Sequence, residues 1–260
     1  MRTLKLTIAY DGTDFAGWQN QPGQRTVQAT LEQSLSELTG EPIAAVASGR
    51  TDAGVHALGQ VVSFDTGSDL ASEVFQRALN AKLPEDVAVL AVVEAPPGFH
   101  AIRDAVKKRY QYRLHDGPTR EVFHRRYAWH VRHRLDAGRM HRAGQALVGR
   151  RDFHSFESHW PNRNTSVRSI FELSVKRQMG DNCDRVTLEV EADGFLYHMV
   201  RTIAGTLVEV GRGAQDESWP ADVLAAEDRA AAGPTAPPQG LFLLRVEYDS
   251  GSTSDRRRGR

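Results

Sequence analysis

The feature that most limits the possible folds is an order of predicted elements, β-α-β-β-α-β, that occurs once in each half of the chain. In the first half the patterns are a strand at 3–10, a helix at 27–38, apolar runs at 43–47 and 61–64, a helix at 70–81 and an apolar run at 87–93. In the second half they are a strand at 106–114, a helix at 136–147, strands at 168–178 and 185–192, a helix at 195–210 and a strand at 241–248. An additional helix at 219–229 follows Ser218, a candidate N-cap.

This repeat predicts an α+β protein made of two similar halves, each a split βαβ unit of the ferredoxin-like or RRM-like type. Together the halves should form an extended mixed sheet with the helices on one face. An Ala-Pro-Pro-Gly segment at 95–98 marks the predicted boundary between an N-terminal half, 1–97, and a C-terminal half, 98–249. Residues 250–260 have no apolar anchor and end in an arginine cluster, so we expect a disordered basic tail there.

The total charge gives no reason to expect a general attraction to nucleic acid, because 33 Lys and Arg residues balance 33 Asp and Glu residues. The distribution of this charge is nevertheless uneven. Between Arg103 and Arg142 the sequence has 12 basic residues against 4 acidic ones, and this block includes the predicted strand at 106–114. A basic block inside a neutral protein predicts a basic face.

Several classes of protein have no support in the sequence. Cys183 is the one cysteine, which rules out an intrachain disulfide and any multi-cysteine zinc site. The N-terminus has no long apolar signal core and no run of about 18 apolar residues occurs, so we expect a soluble cytoplasmic protein that does not enter a membrane. Zinc-protease, dinucleotide-binding, P-loop and serine-hydrolase motifs are absent. We therefore expect no zinc site and no nucleotide cofactor.

The stretch SGRTDAGVHA, at 48–57, places charged residues between two apolar runs. Three interpretations compete: an ordinary turn, a phosphate cradle, or an aspartate presented for chemistry. Arg50 lies two residues before Asp52, and Gly49 and Gly54 permit unusual backbone angles. An aspartate nucleophile is weak but needs no deprotonation at neutral pH, and a nearby cation would keep it charged. The residue types alone leave the three interpretations open.

Three further stretches are candidates for chemistry or binding. DGTD, at 11–14, follows the first strand and is more typical of a tight turn than of a phosphotransferase. In KKRYQYR, at 107–113, Tyr110 and Tyr112 share one strand face, where they could stack on a base, although we expect at least one of them in the core. In FLYHMVRTIAG, at 195–205, Arg201 borders an apolar helical face. If Arg201 turns toward the sheet, it needs a carboxylate partner.

These stretches, together with LNAKLPEDVAV and GLFLLRVEY, resemble the TruA family of tRNA pseudouridine synthases, in order from about Leu4 to Tyr248. The octapeptide GRTDAGVH is highly specific for that family. The resemblance implies isomerisation of uridine to pseudouridine in the anticodon arm of tRNA, at sites 38 to 40, by a homodimer that needs no cofactor.

The resemblance also implies a role for each matching residue. Asp52 would be the nucleophile, and Arg201 would pair with it. Tyr110 would pack on the target base and could assist removal of the C5 proton. Arg50 would displace the base or hold a backbone phosphate, and Leu241 would line the floor of the pocket. The main alternative is a non-catalytic RNA-binding relative, because split βαβ units often bind RNA through sheet aromatics. A metal-dependent RNA hydrolase is the third possibility.

The sequence departs from the family pattern at a few positions. Family members commonly have FHAR before the basic strand, whereas this chain has FHAIR, so that Ile102 takes the place of the arginine and Arg103 follows it. On a strand, a shift of one position reverses the face of the side chain. Tyr197 and Thr202 stand where arginine and asparagine are often found.

Overall fold

The computed structural model describes residues 1–158, 165–178 and 185–249; the tail at 250–260, predicted to be disordered, lies outside them. Within these ranges the strands are β1 (Arg2–Tyr10), β2 (Val46–Ala47), β3 (His56–Thr66), β4 (Val87–Glu94), β5 (Ala105–Asp116), β6 (Trp129–Val131), β7 (Gly149–Asp152), β8 (Val167–Gln178), β9 (Arg185–Ala192) and β10 (Leu241–Tyr248). The α-helices are α1 (Val27–Thr39), α2 (Ser72–Lys82), α3 (Ala137–Gly144), α4 (Met199–Gly211) and α5 (Trp219–Ala226). Short 3-10 helices lie at Gln145–Leu147, His154–Phe156, Arg229–Ala231 and Pro238–Gly240.

The strands form one mixed sheet in the order β4-β1-β3-β10-β5-β9-β8-β7, with β2 paired to β3 and β6 paired to β5. The C-terminal strand β10 lies near the centre of this sheet. It pairs in parallel with β3, where Phe242 is opposite His56, and antiparallel with β5, where Leu243 is opposite Tyr110. Because β10 pairs with both strands, the start of β3 lies one strand away from β5.

The core lies between the sheet and the helices, which cover one face of it. On β1, Leu4, Leu6 and Ile8 are fully buried and alternate with half-buried residues, as expected for a strand with one covered face. Helix α1 begins after Thr26, whose hydroxyl accepts from Ala29 N, and ends at Gly40 in the left-handed conformation. In the described ranges, no helix is both long and apolar enough to cross a membrane.

The fold class predicted from the repeat is confirmed, while several boundaries differ. The helix predicted at 195–210 begins only at Met199, because His198 has left-handed backbone angles. The apolar run at 43–47 contributes a strand of two residues, and β6 and β7 were not predicted. Ser218 occupies the N-cap position of α5, but its side chain makes no capping hydrogen bond. The boundary at residue 97 stays a prediction.

Candidate active site

The loop that carries Asp52 connects β2 to β3 and is fixed by contacts on either side of that residue. The Thr51 hydroxyl lies 2.8 Å from the hydroxyl of the buried Tyr10. Burial raises the pKa of Tyr10 to about 12, so that this hydroxyl stays protonated. After Asp52 the chain turns sharply, because Val55 N donates to Asp52 O at 3.1 Å and Gly54 has a φ of 76°. The Asp52 side chain remains 24% exposed.

The DGTD stretch forms a turn that packs on this loop. Thr13 donates to Asp11 Oδ1 through its backbone N at 3.0 Å and its hydroxyl at 2.6 Å. The Tyr127 hydroxyl donates to the other oxygen, Asp11 Oδ2, at 2.7 Å. A Cβ on Gly12 would lie 2.0 Å from Val55 O, so this close approach requires glycine. These contacts favour the turn interpretation of DGTD over the phosphotransferase interpretation.

Arg201 pairs with Asp52 across 149 positions of sequence. Its Nη1 atom donates to Asp52 Oδ2 at 2.9 Å, and the arginine side chain is only 13% exposed. This contact supplies the carboxylate partner that an inward-facing arginine requires. Within the part of the chain that the structure describes, Asp52 Oδ1 accepts no hydrogen bond. One carboxylate oxygen is therefore held while the other is available.

A segment after α5 fixes Arg201 from the opposite side. Ala236 O accepts a hydrogen bond from Arg201 Nε at 2.7 Å. The same segment crosses α4 at Gly205, where a Cβ would lie 1.8 Å from Pro234 O. Glycine at this position allows the segment to approach the helix closely enough to hold the guanidinium.

Tyr110 and Tyr112 both lie in the core, with exposures of 8% and 0%. The Tyr112 hydroxyl donates to Pro237 O at 2.6 Å, which accounts for its fully buried position. Burial raises the pKa of Tyr110, and the neighbouring Tyr10 and Asp52 raise it further. The Tyr110 phenol is thus neutral at physiological pH.

Leu241 is buried and lies directly opposite Tyr112 in the antiparallel pair of β10 and β5. Leu243 is likewise opposite Tyr110. Opposed residues in an antiparallel pair share a face of the sheet. Leu241 is therefore on the same sheet face as the two tyrosines.

On the basic strand β5, Arg109 is not a free surface cation, contrary to the prediction from local charge. Arg109 on β5 contacts three carboxylates, at Glu172 on β8 and at Glu189 and Glu191 on β9. Lys108 Nζ donates to a backbone carbonyl, Ser48 O, at 2.6 Å. For Arg109 the prediction was wrong because it counted charge along the chain, whereas the neutralising carboxylates come from neighbouring strands.

Within the described ranges, neither Arg50 nor Ile102 forms a hydrogen bond or an ion pair with Asp52 or Arg201. Arg50 is exposed and, in the described ranges, forms no ion pair. The segment around Ile102 is a turn rather than a strand, closed by a hydrogen bond from Asp104 N to His100 O at 3.1 Å. A one-residue shift in a turn does not reverse the face of the arginine as it would on a strand. Ile102 is 52% exposed.

His198 belongs to the site but was not singled out from the sequence. Its Nε2 atom lies 3.4 Å from Asp52 Oδ2, and its Nδ1 atom lies 2.8 Å from Ser158 Oγ. The one local signal is that it precedes Arg201 by three residues, about one helical turn.

The described residues contain no group of three or more His, Cys, Asp or Glu side chains placed to hold a metal ion. The arrangement at Asp52 instead combines one carboxylate, one guanidinium, one imidazole and an apolar sheet face. Such a set can bind a planar base and present a carboxylate oxygen to it.

A family model described as tRNA pseudouridine synthase matches residues 6–102 and 143–249. Two proteins named tRNA pseudouridine synthase A are also similar over their full length. The one from Moorella thermoacetica is 48% identical over 251 residues, covering 95% of this chain and 100% of the relative. The one from Geotalea uraniireducens is 45% identical over 248 residues, with the same coverage of 95% and 100%.

The matches cover most of the chain. They span both halves of the chain and include Asp52, Arg201 and Leu241 within the matched ranges. The chain belongs to the TruA family of tRNA pseudouridine synthases, whose members are isomerases.

Proposed function

We propose that this chain isomerises uridine to pseudouridine in the anticodon arm of tRNA, at positions 38 to 40, with Asp52 as the nucleophile. The observation that carries the proposal is the pair between Asp52 and Arg201. An aspartate that only shapes a turn needs no partly buried guanidinium beside it, whereas a reactive carboxylate needs a fixed charge partner. Membership of the family supports the same reaction.

The chemistry of the isomerisation matches what this site contains. The bond between N1 of uracil and C1′ of ribose breaks, and a bond between C5 and C1′ forms. C5 loses a proton and N1 gains one, so the reaction is redox-neutral and consumes no water. A nucleophile can start it either at C6 of the base or at C1′, and both routes use the Asp52 carboxylate.

The neighbours of Asp52 would position the base and the charge. Arg201 would balance the carboxylate and fix its orientation through Oδ2. Tyr110 and Leu241, on one face of the sheet, would provide the surface on which the base lies. Because burial keeps the phenol protonated by raising the pKa of Tyr110 in the free protein, we assign it packing on the base.

A uridine in a stem must leave the base stack to reach Asp52, at a cost of a few kcal/mol that contacts elsewhere must offset. The loop between β5 and β6 has suitable groups. Phe123 is 86% exposed, Arg120 and Arg125 are also exposed, and the loop is tied to the DGTD turn through Tyr127. Aromatic stacking and phosphate contacts are the usual sources of such binding energy. Arg50, exposed two residues before Asp52, would displace the base or hold a phosphate.

The remaining parts of the proposal follow from the family. The protein acts in the cytoplasm as a homodimer and requires no cofactor. Both halves of the chain would contribute to the site. The N-terminal half, 1–97, would supply Asp52 and Arg50, and the C-terminal half, 98–249, would supply Tyr110, Arg201 and Leu241.

The substrate positions can be tested with tRNA transcripts that have uridine in the anticodon arm only at position 38, 39 or 40. We expect the purified protein to form pseudouridine in these transcripts, detected as carbodiimide-dependent stops in reverse transcription. A transcript whose uridines all lie outside the anticodon arm is the control and should stay unmodified. Conversion of the control alone would retain the reaction but refute the positions, and no conversion of any tRNA would refute the proposed function.

A further inference from the structure

We propose that His198 is a positioning residue for Asp52, which together with Ser158 holds the Oδ2 oxygen so that Oδ1 is presented to the substrate. This inference rests on the proposed function. It assigns a role in the reaction to two residues outside the Asp52–Arg201 pair.

The backbone of His198 has a conformation that is uncommon for a residue other than glycine. His198 has φ 62° and ψ 0°, the left-handed conformation, at the N-cap of α4, and its side chain makes no capping hydrogen bond. Among the described residues, Glu227 is the other non-glycine residue with positive φ. This conformation is uncommon for residues other than glycine, although histidine adopts it more often than most, and such residues are often found at functional sites.

The contacts of the imidazole select one tautomer. The Ser158 hydroxyl lies 2.8 Å from Nδ1, and Nε2 lies 3.4 Å from Asp52 Oδ2. If the hydroxyl donates to Nδ1, the proton of a neutral ring is on Nε2, the nitrogen that lies 3.4 Å from Asp52 Oδ2. The opposite tautomer would place a nitrogen lone pair against a negatively charged oxygen. The arrangement with a proton on Nε2 is therefore favoured.

The ring is neutral at physiological pH. Burial lowers the pKa of His198, the charges of Arg201 and Arg229 lower it further, and Asp52 opposes these effects. The imidazole therefore contributes an oriented N–H group beside Arg201 rather than a second cation. Its plane is held by Tyr197, whose ring stacks on it with centroids 3.7 Å apart.

Two groups on the same oxygen restrict rotation of the carboxylate. Arg201 and His198 approach Oδ2 from positions three residues apart at the start of α4, at 2.9 and 3.4 Å. In the described part of the chain Oδ1 has no hydrogen bond that would compete with substrate. Fixing the reacting atom in one orientation raises the rate of the chemical step rather than the affinity for tRNA.

The test uses three variants, His198→Gly, His198→Gln and Ser158→Ala, in the full chain. Glycine accepts φ 62° without strain, so His198→Gly removes the imidazole without penalising the backbone. Glutamine restores an N–H donor near Oδ2. The readouts are the single-turnover rate of tritium release from tRNA labelled at uridine C5, with enzyme in excess, and the Kd for tRNA.

We expect His198→Gly to slow the single-turnover rate by roughly 10- to 100-fold, because the Asp52 carboxylate then loses one of the two side chains that fix its orientation. His198→Gln should recover to within about fivefold of the wild type, and Ser158→Ala should be slowed by about fivefold because the tautomer is no longer fixed. The Kd for tRNA should change by less than about threefold in every variant, since these residues orient the Asp52 carboxylate and do not themselves hold the tRNA.

A wild-type rate for His198→Gly would overturn the inference, as would a loss that appears only in the Kd or that His198→Gln fails to rescue. These outcomes are distinct from failure of the proposed function. If the wild type itself releases no tritium, the proposed function fails and the inference fails with it.

Discussion

Replacing Asp52 with asparagine should abolish isomerisation while leaving tRNA bound nearly as tightly as by the wild type. The amide has the shape of the carboxylate but cannot act as a nucleophile, so we expect a loss on the order of 10³-fold or more in turnover. The Kd for tRNA should change by less than about threefold, because one partly buried side chain contributes little to a large polar interface. Filter binding gives the Kd and carbodiimide mapping of pseudouridine gives turnover.

Asp69→Asn is the matched control, because Asp69 is an exposed aspartate in the loop between β3 and α2. The Asp69→Asn protein should retain wild-type turnover and a wild-type Kd for tRNA. Thermal unfolding of Asp52→Asn must also be measured, since the substitution leaves Arg201 without the carboxylate it contacts at 2.9 Å. Equal losses of binding and turnover in a folded Asp52→Asn protein would assign Asp52 a structural role in RNA binding instead.

Replacing Asp116 with alanine should cause a large loss of stability, because the ion pair that it breaks is buried. The Asp116 side chain is fully buried and accepts two hydrogen bonds from Arg177, both at 2.7 Å, and one from Leu135 N at 2.7 Å. These contacts join the end of β5 to β8 and to the segment before α3. Alanine would leave the partly buried Arg177 guanidinium and the buried Leu135 N without this carboxylate, so we expect the free energy of unfolding to fall by about 3 kcal/mol.

Glu217→Ala tests whether burial of the carboxylate causes the loss of stability expected for Asp116→Ala. Glu217 also accepts two hydrogen bonds from one arginine, Arg142, at 2.9 and 2.7 Å, but on the surface. An exposed pair contributes little to stability, so the midpoint of urea unfolding should stay close to that of the wild type. Comparable losses in Glu217→Ala and Asp116→Ala would contradict the role of burial.

The contribution of Asp116 should disappear in acid. Burial alone would raise the pKa of Asp116, but hydrogen bonds from Arg177 and Leu135 and the nearby positive charges hold it below its usual range. Because the folded-state pKa is lower than the unfolded-state value of about 3.9, the unfolded state binds more protons as pH falls through this range. The stability difference between wild type and Asp116→Asn should therefore be constant above about pH 5 and shrink below about pH 4. Urea unfolding at several pH values measures it.

Much of the fold follows from local sequence because strands and helices differ in their hydrophobic period. The alternation at Leu4, Leu6 and Ile8 and the helical spacing from Val27 to Leu35 both occur in elements that the structure contains. The strands β6 and β7 have three and four residues, too few for a period to be recognised. Their existence depends on pairing with β5 and β8, which no local pattern specifies.

Local sequence patterns predict less of the candidate site than of the fold. Residue types left three interpretations of Asp52 open, and the family resemblance decided among them. The cost of burying a charge predicts that Arg201 needs a carboxylate partner. Local sequence does not show which carboxylate this is, because Asp52 lies 149 positions away. His198 was missed because its φ and its distance to Asp52 are properties of the folded chain. The glutamates that neutralise Arg109 lie 63 to 82 residues beyond it.

The most direct test of Asp52 as the nucleophile is tritium release from tRNA labelled at uridine C5, measured for the wild type and for Asp52→Asn with a chelator present and no added nucleotide. Formation of the C5–C1′ bond expels the proton at C5, so release reports the isomerisation itself. We expect release by the wild type alone. Release by both proteins would show that Asp52 is not the nucleophile, and release by neither, with tRNA still bound, would show that the chain binds RNA without this chemistry.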